Sequence, residues 1–462
     1  MANPFLNPVF LSKAIKSYLT DVNRIWRIEP HKLKRFQNNA FKQAVKYAYT
    51  VPIYNKKFKE SNIHPNDIIG LENLNKFPFI PKSEIRNAFP DNVIPRNTNE
   101  KKLWRINTSG TTSKPVSFYR DTFGLFKDTI LGVRLLKFCG INWRKDRITS
   151  MGPSSSPGRF DYANKQAISD NLSPLLPTKH QHITYIYKDL KEKMDMMNQF
   201  KPDFIIGFPG DFQMMAALRK EGYGEDINPK VIATSGGMLD AYVRSYIEDA
   251  FDCKVVDLYS SVEMGIGAVQ CDDGNYHIFS DFIHLEFLDD GEPVSSGKPG
   301  HVVLTRFFGK GTPFIRYTGL DDIITPIYEE CSCGLKTPLF KQIAGKVSQR
   351  ILLPDGNYVT PVFFTRGVDA AMRALKTDKV LQYQVVQKSA DKIDILVVID
   401  DKKRDTSPSI DNLFKEIKEQ YRKVFGDTFE FKVKEVKKVI GSDNPSKPPP
   451  IIISKTQSNK KI

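Results

Sequence analysis

Residues 203–261 read DFIIGFPGDFQMMAALRKEGYGEDINPKVIATSGGMLDAYVRSYIEDAFDCKVVDLYSS. Three short apolar runs, DFIIGFPG (203–210), KVIATSGG (230–237) and KVVDLYSS (254–261), each end in Gly, Pro or Ser. Between the first two, Phe212, Met215, Ala216 and Leu218 share a helix face. Between the second and third, Leu239, Tyr242, Val243, Tyr246, Ile247 and Ala250 repeat at intervals of three and four. Strand–helix–strand alternation predicts a parallel α/β sheet. Ligands of such sheets sit beyond the carboxyl ends of the strands, where these Gly/Ser/Pro clusters fall. RITSMGP (147–153) adds another strand of the same kind.

On the N-terminal side, residues 1–100 read as a mostly helical leader with Pro-containing breaks. Trp26, Leu33, Phe36, Ala40 and Phe41 fall near helical spacing, and FPFIPKSEIRNAFPDNVIP (77–95) reads as an irregular connection. On the C-terminal side, LQYQVVQK (381–388) and DKIDILVVID (391–400) predict a strand pair. The following helix is expected to begin with Ser407 as cap and Pro408 as first residue and to stop at Gly426. Ile410, Leu413, Phe414, Ile417, Tyr421 and Val424 form its apolar face, and TFEFKVKEV (428–436) alternates like a strand. The tail from Ser442 is rich in Pro and Lys and is expected to be mobile. The expectation is an α/β protein in two domains. Residues 1–345 form a large domain of mixed, largely parallel sheets flanked by helices, its α/β core spanning 101–345. Residues 346–462 form a small α+β lid.

Composition narrows the class. With 40% hydrophobic and 26% charged residues in 462, the chain is globular rather than fibrous or disordered. No apolar run approaches the ~20 residues needed to span a bilayer, and no basic segment precedes an apolar core at the start. Five cysteines do not make a disulfide scaffold, so a cytoplasmic location is expected. The net charge of +15 is concentrated at the ends: residues 1–60 hold twelve Lys/Arg against three acids, and 431–462 hold eight Lys against two. No nucleic-acid-binding signature accompanies them, so no specific nucleic-acid partner is expected. The sequence leaves the oligomeric state open, a homodimer included.

INTSGTTSKP (106–115) packs hydroxyls, one glycine and a lysine into a short loop. Backbone amides and hydroxyls of such a loop converge on an anion, although the Walker pattern is absent. The loop resembles the phosphate-binding signature of the adenylate-forming superfamily, which includes acyl-CoA synthetases, luciferases and peptide-synthetase adenylation domains. Ser113 stands where a second glycine is usual. Other segments follow in the family's order. ATSGG (233–237) resembles the adenine-contacting strand end, DLYSSVEMG (257–265) the Y-G-x-T-E segment, and FIRYTGLDDI (314–323) the R-Y-R-T-G-D segment. IAGKVSQRILLPDG (343–356) resembles the hinge into the lid, and DNPSKPPPIIIS (443–454) the terminal lysine segment. The C-x-C-G before the hinge and L-P-D-G after it look most like the phenylacetate–CoA ligase branch, and more narrowly like its capsular polysaccharide biosynthesis proteins.

By that resemblance Thr108, Ser109, Gly110, Thr111, Thr112 and Lys114 hold the phosphates of ATP. Gly236, Gly237, Tyr259 and Ser260 line the adenine, Asp321 accepts hydrogen bonds from the ribose hydroxyls with Asp322 as a register alternative, and Lys346 is the hinge cation. Glu263 binds Mg²⁺, and Lys447 is the adenylation lysine. The implied reaction joins a carboxylate to AMP, releases pyrophosphate and transfers the acyl group to CoA. Lys346, Gln349 and Ser446 depart from the pattern serving that second step, which leaves the acceptor open between CoA, a carrier thiol, an amine and a hydroxyl. A nucleotidyl transferase that leaves AMP on its product and a non-catalytic nucleotide binder are the alternatives.

Cys271, His277, Cys331 and Cys333 form a second constellation, C-x5-H followed by C-x-C. Three thiolates and an imidazole suit a closed tetrahedral Zn²⁺ site, structural rather than catalytic. The phenylacetate–CoA ligase branch carries a similar set. Cys139 and Cys253 lie in apolar patterns and read as small hydrophobic residues.

Overall fold

The computed structural model describes residues 7–108, 115–152, 179–184, 190–441 and 452–454, without the side chains of Gly152, His182 and Thr184. The phosphate-loop residues Ser109, Gly110, Thr111, Thr112 and Lys114, most of 151–158, and Lys447 lie outside the described residues.

The leader is helical, as its pattern predicts. Helices α1 (Pro8–Arg27), α2 (Pro30–Ala48) and α3 (Pro52–Glu60) each open on a proline in the first turn, where its missing N–H costs nothing. The apolar spacing around Trp26 and Leu33 is broken at Ile28–Glu29, whose extended backbone separates α1 from α2. The 77–95 stretch is not wholly irregular: Lys82–Ala88 forms a two-turn helix, α4.

The large sheet has twelve strands in the order β11-β10-β12-β13-β14-β9-β8-β7-β6-β5-β3-β4. Strands β3 (Arg147–Gly152), β4 (Lys179–Thr184), β5 (Phe204–Gly207), β6 (Val231–Ser235) and β7 (Lys254–Ser261) pair in parallel. These include the four strands expected from the apolar runs. Helices Pro209–Lys220 and Ala241–Phe251 supply the crossovers, the second starting two residues after Leu239 because Asp240 caps it through Val243 N. From β7 onward the pairing is antiparallel, through β8 (Gly265–Gln270), β9 (Tyr276–Ile278), β14 (Leu339–Lys346), β13 (Asp322–Ile327), β12 (Gly300–Arg306), β10 (Ile283–Asp289) and β11 (Glu292–Pro293). The sheet is therefore mixed, with its parallel ladder confined to residues 147–261.

Helices pack on both faces. Phe41, Tyr54, Phe58 and Phe77 from the leader join Phe118, Leu304 and Phe314 in one core, and Ile205, Phe212, Met215 and Ile247 form another across the parallel ladder. Each such ring or branched chain taken from water is worth about 2 kcal/mol. Helix α5 (Thr122–Phe138) is tied to α1 by ions as well as apolar contacts. Lys127 pairs with Asp21 of α1, and Arg134 donates to the Asp21 carbonyl and forks at 2.7 and 2.8 Å onto Asp281, between β9 and β10, which Arg24 of α1 also reaches.

The C-terminal residues build their own four-stranded sheet, β19-β18-β17-β20, with a separate core of Phe364, Val385, Ile395, Leu413, Ile417, Tyr421 and Phe431. Strands β17 (Val380–Ser389), β18 (Lys392–Ile399) and β19 (Glu430–Glu435) follow the pattern. The helix starts later than expected, at Ile410, because Ser409 rather than Ser407 caps it through Asn412 N. Val424 is exposed and Phe425 packs in its place, stacked on Phe364 at 4.4 Å. A helix at Val362–Ala374 escaped the sequence reading, and part of the tail is ordered: β20 (Ile452–Ser454) pairs in parallel with β17.

One carboxylate within the parallel ladder carries a pH prediction. Asp257 on β7 is 1% exposed and accepts hydrogen bonds from Thr234 Oγ1 and Tyr276 Oη, both at 2.5 Å. Burial pushes its carboxyl up to about 6 against those donors. The folded protein then keeps a proton that the unfolded chain releases, so this group's contribution to stability is lost as the pH rises from about 4 through about 6. Asp257→Asn is expected to gain on the wild type by about 2 kcal/mol between pH 4 and 6.5. Urea denaturation of both proteins across that range checks this, and a constant difference contradicts it.

Candidate functional site

The carboxyl ends of β6 and β7 lie side by side and open onto the loops that carry the expected nucleotide residues. Gly236 follows β6 with φ +75°, and a Cβ there would stand 2.5 Å from the Phe208 ring, so only glycine fits. Gly237 is packed close to Pro209. Ser235 and Ser260 join the two strand ends through their hydroxyls at 2.6 Å. Tyr259 is buried, edge-on to Phe340, and its hydroxyl donates to Asp322 Oδ2 at 2.9 Å.

Asp322 opens β13 and is the cross-strand partner of Lys346 at the end of β14. Lys346 Nζ reaches Asp322 Oδ1 at 3.2 Å, and Asp322 holds its ammonium above the usual lysine value. The neighbouring Asp321 has a left-handed backbone, φ +63°, and accepts a hydrogen bond from Ser348 Oγ. Its carbonyl accepts from Val347 N at 2.9 Å. The two adjacent acids thus have different partners. Asp322 is taken up by Tyr259 and Lys346, while Asp321 faces the hinge turn Val347–Gln349.

Glu263 follows β7 and is 5% exposed. Among the described residues its carboxylate accepts one long hydrogen bond, from Tyr317 Oη at 3.3 Å. Its backbone is held much more firmly. Arg120 donates to the carbonyls of Val262 (2.8 Å) and Glu263 (2.6 Å), Arg306 donates to Glu263 O at 3.2 Å, and Arg306 pairs with Asp128 at 2.8 Å. A buried carboxylate with spare lone pairs on a pinned backbone is a suitable ligand for a hard cation. Thr108, the described end of the phosphate loop, is buried at the end of β1 (Leu103–Asn107); its amide donates to Val116 O at 2.8 Å and its hydroxyl oxygen accepts from Val116 N at 3.0 Å. The loop's two flanks are therefore closed against each other.

The sequence reading passed over Lys82. Arg316 explains its position. The Arg316 guanidinium is paired with Glu286 at 3.0 and 3.2 Å, donates to the carbonyls of Asn75 and Phe77, and stacks on Phe79 at 4.1 Å. Ile80 then bridges to Tyr317, and α4 begins at Lys82 beside the Glu263–Asp321–Lys346 group. The surviving signal was a lysine directly after an apolar Pro-flanked run, which has no motif of its own.

Cys271, His277, Cys331 and Cys333 come together, with all four ligand atoms within 4.8 Å of one another. Cys271 Sγ lies 3.7 Å from Cys331 Sγ, and Cys333 Sγ lies 3.1 Å from His277 Nε2. Ligands around a tetrahedral zinc stand about 3.5–3.8 Å apart, so the set is near the size of the ion. His277 Nδ1 contacts Thr337 Oγ1 at 3.1 Å, which leaves Nε2 facing the thiols. Burial pushes His277 down to about 4, so it is a neutral ligand at physiological pH. The group spans a narrow place in the sheet. β9 has three residues, is the link between β8 and β14, and pairs with β14 at Leu339↔His277 and Phe340↔Tyr276. Cys139 and Cys253 are partly buried and pushed up to about 12 by burial, as inert small hydrophobic residues would be. His180, exposed, contacts Ser150 Oγ at 3.0 Å.

No protein-family model matches the chain. A phenylacetate–coenzyme A ligase of Thermus thermophilus is 26% identical over 377 residues, covering 77% of this chain and 78% of that protein. A 2-hydroxyisobutyryl-CoA ligase crystallised in its postadenylation state, with an acyl-AMP bound, overlays with a TM-score of 0.74 at 18% identity, covering 90% of this chain and 88% of the other. The chain is thus similar in sequence to phenylacetate–coenzyme A ligases and shares the fold of an adenylate-forming CoA ligase. The same 2-hydroxyisobutyryl-CoA ligase in its thioesterification state overlays less well, at 0.60 with 18% identity over 92% of this chain and 90% of that one. Among the described residues no helix is long and apolar enough to cross a membrane.

Proposed function

We propose that the chain is an AMP-forming ligase that activates a carboxylic acid with ATP, releases pyrophosphate and passes the acyl group to a thiol, CoA being the first candidate. The observation that carries this is the backbone-pinned carboxylate of Glu263 just after β7, which among the described residues accepts one long hydrogen bond, with Tyr259 of β7 tied to the Asp322–Lys346 pair at the β13–β14 edge. Sequence relatives and structural neighbours support it, being CoA ligases whose structures hold acyl-AMP and, in some cases, CoA.

A carboxylate is a poor electrophile, and joining it to AMP makes it reactive. The step asks mainly for positioning and charge neutralisation. Thr108, Ser109, Gly110, Thr111, Thr112 and Lys114 would cradle the phosphates. Gly236, Gly237, Tyr259 and Ser260 would form the adenine wall, with Asp321 accepting from the ribose hydroxyls and Lys346 close by. A Mg²⁺ ion held by Glu263 would offset polyphosphate charge. We take 346–462 as the lid, with Lys447 bridging the attacking carboxylate and the α-phosphate. The residues of the second constellation fit a closed Zn²⁺ site that ties β9 to the β13–β14 loop, and free thiols there suit a cytoplasmic location. The narrower likeness to capsular polysaccharide biosynthesis proteins points to a sugar-linked acid or acceptor.

The test is incubation with MgATP, CoA and a panel of aryl, short-chain and sugar-derived carboxylates, with AMP and thioester read by mass spectrometry. AMP together with an acyl-CoA supports the reading. AMP with acyl transferred to a sugar amine or hydroxyl corrects the acceptor, and an AMP-bearing final product overturns the ligase reading.

A further inference from the structure

Lys82 is a half-buried cation that, among the described residues, makes no hydrogen bond and no ion pair. Burial pushes its ammonium below the usual lysine value, Glu263 and Asp321 oppose that, and Lys346 and Arg86 add to it. The two acids therefore act on it from beyond ion-pair distance. A lysine costs stability in such a place, because the ammonium has lost water and gained no partner. The protein nonetheless fixes it there through Arg316, the Ile80–Tyr317 bridge and the start of α4. Tyr317, the bridge partner, is the residue whose hydroxyl reaches Glu263. One turn further along α4, Arg86 Nε donates to Pro115 O at 3.2 Å, the residue that ends the phosphate loop. α4 thus starts two residues after the Ile80–Tyr317 bridge, beside the residue that reaches Glu263, and one turn later is tied to Pro115.

We propose that Lys82 is a phosphate-binding residue of this site, its ammonium donating to the phosphate chain of ATP. This rests on the adenylation reading above. Lys346 is taken up by Asp322, so Lys82 is the uncommitted ammonium among the described residues of the site. In the reaction a carboxylate oxygen bonds to the α-phosphorus, the bond from that phosphorus to the bridging oxygen of the β-phosphate breaks, and its electron pair leaves with pyrophosphate. A cation along the chain stabilises the negative charge of the leaving group without giving up its proton.

The experiment compares wild type, Lys82→Met and Lys82→Arg by calorimetric titration with two probes, MgATP and adenosine, and by thermal melting. Lys82→Met is expected to weaken ATP binding about tenfold or more and to leave adenosine within twofold. Its melting temperature stays level or rises, because the methionine removes a desolvated charge. Lys82→Arg keeps more of the ATP affinity than Lys82→Met. Equal weakening of both probes, unchanged ATP affinity in Lys82→Met, or a fall in melting temperature large enough to account for weaker binding overturns the assignment. A wild type that binds adenosine and ATP equally also overturns it, because no phosphate site would then exist. A wild type that binds neither strikes at the adenylation reading itself.

Discussion

Lys447→Ala is expected to slow acyl-adenylate formation about 10²–10³-fold while MgATP affinity stays within about twofold. The role assigned to this lysine is exercised as charge develops between the attacking carboxylate and the α-phosphate, so its loss acts on the rate and not on ground-state binding. Ile452 lies five residues downstream in β20, paired with Val385 of β17, and β20 packs beside the hinge turn Val347–Gln349. That turn contacts Asp321 through Ser348 Oγ and Val347 N. The measurement is single-turnover acyl-adenylate formation with a productive acid, trapped with hydroxylamine, alongside ATP titration. Unchanged turnover would remove Lys447 from the chemistry, and an equal loss of ATP affinity would make it a binding residue.

Cys331→Ser is expected to remove bound zinc, one per chain in the wild type, and to lower the melting temperature by roughly 5 °C or more. The magnitude follows from where the four ligands lie. Cys271 follows β8, His277 is on β9, and Cys331 and Cys333 are on the loop between β13 and β14. A metal ion there would clamp a three-residue strand that links β8 to β14 in the antiparallel part of the sheet. Without it, two paired positions connect β9 to β14. Treating the wild type with a strong chelator should reproduce the loss, and adding zinc should restore it. Metal analysis of the pure wild type showing no zinc would sink the site, as would a Cys331→Ser protein that melts like wild type.

The parts of the fold legible in the sequence were those where a single period dominates. The runs at 147–153, 203–210, 230–237 and 254–261 became β3, β5, β6 and β7 because each is a buried strand bounded by turn residues. The antiparallel half was less legible. Its strands are short or bulged, with register shifts between Ile323 and Ile324 and between Thr325 and Pro326, and β9 has three residues, too few to show any alternation. The cap at Ser409 was misread as Ser407 because two serines flank Pro408 and either could begin a helix. α4 was hidden by flanking prolines, and Lys82 with it.

For the site, the residues that carry backbone peculiarities were the easiest to read. Gly236 needs a positive φ and an absent Cβ against Phe208, and Asp321 sits in a left-handed turn. Supporting groups were invisible because their partners are distant in sequence. Arg120 and Arg306 meet Glu263 across 143 and 43 residues, and Arg316 reaches Phe77 across 239. Their short hydrogen bonds hold the backbone that aims the functional side chains, a task with no local sequence pattern.

The most direct measurement is ATP–pyrophosphate exchange with the carboxylate panel and no CoA or other acceptor present. The account predicts acid-dependent incorporation of labelled pyrophosphate into ATP, because acyl-adenylate formation is reversible and needs no acceptor. Exchange that proceeds at the same rate without any acid, or no exchange with any acid in a protein shown to bind MgATP, would contradict it.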